Sequence, residues 1–196
     1  MRRSDQPSLP GLAPTEVPRG PPHRLFFALW PDAALREAVA GTTEALVRLH
    51  PNDGRRLRAD RYHMTLQFLG DIPAPRRDEV VARATGAAQA VASAAVDLVL
   101  DHAGGFPNAR VWWLAPAAAA ELRRLWDALG MALLHAGQKA KASPGFSPHL
   151  TIVRDVGARL PATPVAPLRW RVDRFVLIDS QPPKPYRIVG EWPLVR

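Results

Sequence analysis

Two short segments of the sequence repeat the same arrangement of polar and apolar residues. The first is His63-Met64-Thr65-Leu66, and the second is His149-Leu150-Thr151-Ile152, about half the chain length further on. In a β-strand, side chains two positions apart lie on one face, so each histidine would stand beside its own threonine. The apolar residues of each segment would point the other way, into a core.

Two imidazoles and two hydroxyls on one surface could carry out acid–base chemistry on a phosphodiester. Histidine titrates near neutral pH, so one ring can protonate a leaving oxygen while the other takes a proton from the attacking oxygen. Threonine hydroxyls can hold the non-bridging oxygens of the phosphate. The protein would then supply positioning and proton transfer without a metal ion.

Each segment taken alone also has a simpler interpretation. A single histidine in a strand is more often a hydrogen-bonded structural residue than a catalyst, whereas two copies in matching contexts favour catalysis. A zinc site is the other specific interpretation, but neither copy has a carboxylate or third histidine at ligand spacing. The other histidines fall in a predicted tail, in loops or at helix ends and are expected to be incidental: His23, His50, His102 and His135.

The elements that would position these residues follow from the apolar periodicity. Helical spacing predicts helices over about 33–49, 76–93 and 118–136, with Asp32 as the N-cap of the first and Gly137 as the C-cap of the third. Strands are predicted at 25–30, 62–70, 96–100, 110–114, 148–154, 170–178 and 186–192, with a loop at Gly104-Gly105. Because strands and helices do not alternate regularly, the sequence favours an α+β fold.

Composition limits the domain organisation and the class of protein. Residues 1–23 contain six prolines and no apolar period, so they are expected to form a flexible tail before a single domain over 24–196. There is no cysteine, which excludes a disulfide scaffold, a thiolate nucleophile and a cysteine zinc site. No apolar run is long enough to cross a bilayer or to form the core of a signal peptide.

The charge balance is basic, with 26 Lys and Arg residues against 18 Asp and Glu residues and a formal net charge of +8. A basic surface attracts phosphate-bearing partners. Almost all of the basic residues are arginine, and Ala and Pro are abundant, so a compositional bias explains the charge equally well.

The paired segments resemble the two HxTx motifs of the two-histidine (2H) phosphoesterase superfamily. The stretches 24–31, 63–70, 106–114 and 147–154 are similar to its bacterial and archaeal RNA 2′,3′-cyclic phosphodiesterase branch, also called 2′-5′ RNA ligase. The resemblance covers residues 24–195. It implies a bilobal fold of two pseudo-symmetric antiparallel sheets, with flanking helices, around a central cleft.

The resemblance also implies an activity and a role for each site residue. The reaction would be hydrolysis of a 2′,3′-cyclic phosphate to a 2′-phosphomonoester, with His63 as proton donor and His149 as proton acceptor. Thr65 and Thr151 would bind the phosphate. Arg154 could add positive charge near it, although strand alternation points Arg154 away from His149 and a solvent-facing position is equally compatible.

We therefore expect a monomeric, cytoplasmic enzyme that needs no metal or cofactor. Its partners would be RNA ends or nucleotides that carry a 2′,3′-cyclic phosphate, and not a membrane. Three alternatives remain open. The same site could act on another small cyclic phosphate, it could join RNA ends through a 2′-5′ bond in the reverse direction, or the chain could be a non-catalytic RNA- or nucleotide-binding module.

Overall fold

The computed structural model describes residues 20–140 and 145–195. Most of the predicted flexible tail, residues 1–19, lies outside this range. His23, the last residue of the predicted tail, already belongs to the first strand. No helix within the described ranges is both long enough and apolar enough to span a membrane.

The described residues form three α-helices, close to the predicted positions: α1 (Ala33–Leu49), α2 (Arg77–Gln89) and α3 (Ala120–His135). The Asp32 carboxylate accepts a hydrogen bond of 2.8 Å from the Leu35 amide, as expected of an N-cap. After α3, Gly137 adopts φ +69° and the Gln138 amide donates to the Leu133 carbonyl. This is a Schellman cap, which a residue without Cβ adopts easily. Both predicted caps are confirmed.

The strands form one antiparallel sheet in the order β7-β4-β5-β6-β3-β1-β8-β9, with β2 beside β6. Their bounds are β1 His23–Leu29, β2 Arg55–Arg56, β3 Met64–Ile72, β4 Val96–Phe106, β5 Val111–Pro116, β6 Leu150–Arg154, β7 Thr163–Val172, β8 Arg174–Ser180 and β9 Arg187–Pro193. A large antiparallel sheet with three helices confirms the α+β class.

The sheet consists of two halves that meet at the strands carrying the motifs. One half is β7-β4-β5-β6 and the other is β3-β1-β8-β9. β3 and β6 pair through Met64 and Leu150, so each motif strand is the inner edge of its own half. The two expected sheets are thus joined edge to edge.

The first strand shows how the sheet is buried on both faces. Leu25, Phe27 and Leu29 belong to the large core that contains the helices. Phe26 and Ala28 point to the opposite face, where they form a small second cluster with side chains of β8. Burial on both sides explains why this strand is a continuous apolar run rather than an alternating one.

The predicted strand over 170–178 is wrong, because it is two strands in different halves. β7 pairs with β4, the chain turns at Asp173, and β8 pairs with β1. Val172 and Phe175 are both buried although they lie three positions apart. That spacing breaks the period of two and marks the corner.

The predicted loop at Gly104-Gly105 is also wrong, because β4 continues to Phe106. The two glycines pair with Trp113 and Trp112 of β5. A Cβ atom on Gly104 would lie only 2.6 Å from the Trp113 ring. Glycine is therefore required here because an indole packs directly on the backbone, and not because the chain forms a loop.

Candidate active site

The two motifs lie at matching points of the two halves. His63 and His149 directly precede β3 and β6 rather than lying inside these strands as predicted. The antiparallel pairing of Met64 with Leu150 sets His63 opposite Thr151, and Thr65 opposite His149. Opposite residues on paired strands share a face, so the four polar side chains surround one point.

The apolar residues of both motifs anchor this arrangement in the core, as predicted. Met64, Leu150 and Ile152 are completely buried, and Leu66 is 4% exposed. Thr151 is 8% exposed, on the face opposite to these residues. Packing of these apolar side chains in the core therefore fixes the backbone that carries the polar side chains.

Each imidazole is oriented by the same hydrogen bond. His63 Nδ1 lies 2.8 Å from the Arg61 carbonyl oxygen, and His149 Nδ1 lies 2.7 Å from the Ser147 carbonyl oxygen. A carbonyl only accepts, so Nδ1 donates in both rings. In each neutral ring, Nε2 is therefore the atom left to exchange a proton with a substrate.

Each imidazole also packs against aromatic rings. His63 lies 5.1 Å from Phe26 and 5.4 Å from Tyr186, between ring centroids, with the Tyr186 contact edge to face. His149 lies 5.0 Å from Phe106, again edge to face. These contacts fix the planes of both imidazoles and remove part of their hydration.

Burial lowers the pKa of both histidines. For His63, loss of hydration lowers the pKa to about 4; the hydrogen bond to Arg61 opposes this shift, and the charges of Arg154 and His149 add to it. Burial and the Arg154 charge also lower the pKa of His149, against its hydrogen bond to Ser147. Both rings are therefore neutral at pH 7 in the free protein.

Arg154 lies on the face of the motifs, contrary to the expectation from strict strand alternation. Val153 pairs with Trp112 but Thr151 pairs with Trp113, so Ile152 is an extra residue in β6. Such a β-bulge shifts the alternation by one position. Ile152 and Val153 consequently both enter the core, and Arg154 returns to the side of the histidines.

A cavity of about 720 Å³ opens from the His63 side of the site. His63, Thr65 and Arg154 belong to its wall, whereas His149 and Thr151 lie outside it. The rest of the wall includes Arg24, Arg55, Arg58, Arg61, Phe26 and Tyr186. The space beside the motifs is therefore asymmetric and strongly cationic.

The aromatic residues of the site do not follow from the sequence. Tyr186 follows a proline-rich turn far along the chain, and Phe106 ends β4, so nothing in the local pattern connects either with a histidine. The sequence alone assigns no role to Arg61. In the structure its guanidinium stacks 4.3 Å from the Tyr186 ring centre and donates to the Lys184 carbonyl.

None of the remaining histidines lines the cavity beside the motifs. His23 in β1 contacts the Asp179 carboxylate, and His102, in β4 rather than in a loop, contacts Asp101. Across 20–140 and 145–195, no group of three or more His, Cys, Asp or Glu side chains could hold a metal ion.

Comparison with known proteins places this chain in a family. A model of the 2′-5′ RNA ligase superfamily matches residues 30–183. The RNA 2′,3′-cyclic phosphodiesterase of Escherichia coli (strain K12) is 30% identical over 162 residues, which cover 81% of this chain and 88% of that protein.

Solved structures are similar over most of this chain. E. coli LigT complexed with NADP⁺ has a TM-score of 0.71 and 27% identity, covering 90% of this chain and all of that one. LigT complexed with 3′-AMP has a TM-score of 0.71 and 28% identity, covering 89% of this chain and 99% of that one. TT0787 of Thermus thermophilus has a TM-score of 0.67 and 28% identity, covering 87% of this chain and 97% of that one.

The family match includes both motifs and most of the chain. The structure brings those motifs together at the junction of the two halves of the sheet. This chain therefore belongs to the 2′-5′ RNA ligase superfamily of two-histidine phosphoesterases.

Proposed function

We propose that this chain hydrolyses 2′,3′-cyclic phosphates, at RNA ends or on nucleotides, to 2′-phosphomonoesters. The observation that carries the proposal is the pairing of Met64 with Leu150, which sets two imidazoles and two threonines around one point. The name of the E. coli relative, an RNA 2′,3′-cyclic phosphodiesterase, supports the substrate class. All of the groups come from one chain, so the reaction needs no second subunit.

In the proposed reaction the two histidines act together. Nε2 of His149 takes a proton from water as the water oxygen bonds to phosphorus. Nε2 of His63 gives its proton to the 3′ oxygen as the bond between that oxygen and phosphorus breaks. One P–O bond forms and one breaks. Exchange with solvent then removes the proton from His149 and restores the proton on His63.

Because the pKa of His63 is lowered in the free protein, binding of the substrate itself would favour protonation of this proton donor. With a pKa of about 4, only a small fraction of His63 is protonated at neutral pH in the free protein. The bound phosphodiester brings a negative charge that offsets Arg154, so it raises the pKa of His63 and favours the protonated donor. Arg154 then stabilises the charge that grows on the phosphate oxygens in the transition state.

Thr65 and Thr151 would bind the non-bridging oxygens. Neither hydroxyl makes a side-chain hydrogen bond to the described part of the chain, so both can donate to a ligand. Their diagonal placement suits a phosphate held between the two rings.

The test is turnover of a nucleoside 2′,3′-cyclic phosphate in excess EDTA. We expect a 2′-monophosphate, identified by chromatography against the 3′ isomer. Loss of turnover in EDTA that a divalent metal restores would overturn the metal-free mechanism. A joined RNA as the main product would indicate ligation, and binding without any product would indicate a non-catalytic module.

A further inference from the structure

Beside the motifs, two arginines face each other across neighbouring strands. β2 pairs with β6 so that Arg55 lies directly opposite Arg154. Opposite residues on antiparallel strands share a face, and like charges in that position repel. Both side chains line the cavity that opens from His63.

The fold holds β2 in this position by local contacts. The Asn52 side-chain oxygen accepts from the Gly54 amide at 2.9 Å, which forms the turn before β2. A Cβ atom on Gly54 would lie 2.6 Å from the Val153 side chain, so only glycine allows this close approach to β6. Beyond β2, the Leu57 amide donates to the Ile152 carbonyl at 2.9 Å.

The carboxylates near these arginines do not balance their charge. Arg55 contacts Asp155 at 3.4 Å, and Arg58 contacts Asp60 at 3.2 Å, but all four side chains are at least half exposed. Such exposed ion pairs contribute little to stability and exchange readily for a stronger anion. Within the described ranges, the Arg154 guanidinium has no carboxylate partner.

A substrate with a 2′,3′-cyclic phosphate end can supply one further anion close by. Its terminal nucleotide has a single neighbour, which is joined through the 5′ oxygen, so the nearest second phosphate belongs to that link. His63, Arg55 and Arg58 all line the same cavity, which is large enough for more than the cyclic phosphate.

We propose that Arg55 and Arg58 form a subsite for the internucleotide phosphate on the 5′ side of the terminal nucleotide. The subsite rests on the proposed function, because it takes the cyclic phosphate to lie between His63 and His149. It makes an RNA end a better substrate than a free nucleoside 2′,3′-cyclic phosphate.

The test compares two probes that differ only in the 5′-phosphate: adenosine 2′,3′-cyclic phosphate, and the same nucleotide with a 5′-phosphate. We expect the 5′-phosphate to raise kcat/KM about tenfold in the unmodified protein, the effect of one charge-assisted contact. In Arg55→Gln and Arg58→Gln the ratio of the two kcat/KM values should fall towards one. Arg171→Gln, which removes an exposed arginine paired with Asp97 on β4, is the matched control and should keep the ratio.

A binding measurement separates the subsite from catalysis. By calorimetry, adenosine 2′,5′-bisphosphate should bind about tenfold more tightly than adenosine 2′-monophosphate, and Arg55→Gln should reduce this difference. If turnover is absent but the difference persists, the proposed function fails and the anion subsite stands. If the 5′-phosphate improves neither binding nor kcat/KM, or if both variants keep the full ratio, the subsite is overturned.

Discussion

His63 and His149 each have one ring nitrogen committed to a backbone carbonyl, so each exchanges protons only through Nε2. If they act as donor and acceptor in one step, His63→Ala and His149→Ala should each lower kcat by about 10²–10⁴-fold. The double variant should lose much less than the product of the single losses, because groups that act together are not additive. Steady-state kinetics on a nucleoside 2′,3′-cyclic phosphate measures all three variants.

His135→Ala is the control for these substitutions, since His135 ends α3 and is not part of the motifs. It should keep normal kcat. Circular dichroism checks that each variant is folded. A folded His63→Ala protein with near-normal turnover would contradict the two-histidine mechanism.

The charge of Arg154 should affect the pH dependence of kcat/KM. Its guanidinium contributes to the lowered pKa values of both His63 and His149. In Arg154→Gln this positive charge is gone, so both pKa values rise and the alkaline limb of kcat/KM moves to higher pH. The value of kcat/KM at the optimum should fall about tenfold or more, because a charge-assisted contact with the phosphate is lost.

The matching control is Arg83→Gln, on α2, where Arg83 pairs with Glu79. Its pH profile should be that of the unmodified protein. An alkaline limb of Arg154→Gln that stays in place, or that moves to lower pH, would show that Arg154 does not act on the histidines through its charge.

At the scale of elements, β4 and β5 position His149 through a row of aromatic contacts. The Trp113 ring covers Gly104 and lies 5.3 Å from Phe106, which in turn lies 5.0 Å from His149. In Gly104→Ala the new methyl group would displace the indole, so we expect kcat to fall about tenfold and stability to fall by about 1–3 kcal/mol. Kinetics and urea unfolding measure the two effects.

Gly86→Ala provides the comparison for this variant, because a Cβ atom at Gly86 meets nothing within 4 Å. This residue lies inside α2, so alanine should stabilise the helix by about 0.4–1 kcal/mol and leave kcat unchanged. If Gly104→Ala also keeps normal kcat, Trp113 has no part in positioning His149.

At the scale of the whole molecule, one buried carboxylate connects several elements around the His63 half. Asp179 on β8 accepts from His23 of β1 at 2.9 Å, from Arg77 of α2 at 3.1 Å and from Arg187 of β9 at 2.9 Å. Although burial alone would raise it, these hydrogen bonds hold the pKa of Asp179 below its usual range. Asp179 is 3% exposed.

Removing this carboxylate should destabilise the protein strongly. Asp179→Ala leaves three donors without their acceptor, so we expect a loss of about 3–5 kcal/mol in the free energy of unfolding. The contribution of Asp179 is present above the pKa of an unfolded aspartate and is lost as pH falls through its lower folded value. Urea unfolding at pH 7 and near pH 3 should therefore give a larger difference between variant and unmodified protein at pH 7.

Asp97→Ala is the reference substitution, because Asp97 forms an exposed pair with Arg171. This substitution should lower the free energy of unfolding by less than about 1 kcal/mol. Equal losses in the two variants would show that Asp179 does not connect the elements energetically.

The sequence by itself determined the features that depend on neighbours along the chain. Helix α1 begins after Asp32 and α3 ends before Gly137, because a cap forms from residues within one turn. The alternation within each motif placed the histidine and threonine on one face and the apolar residues in the core. The two repeats, with their flanking segments, were enough to indicate the family.

Only the tertiary structure decided the features that depend on residues far apart. Arg154 faces the histidines because a bulge at Ile152 forms against β5, and local alternation pointed the other way. Gly104 lies in a strand because an indole from β5 covers it. Tyr186 reaches His63 from the start of a distant segment, just before β9. Strand pairing between remote segments sets each of these contacts, and the period of a single segment carries no information about its partner.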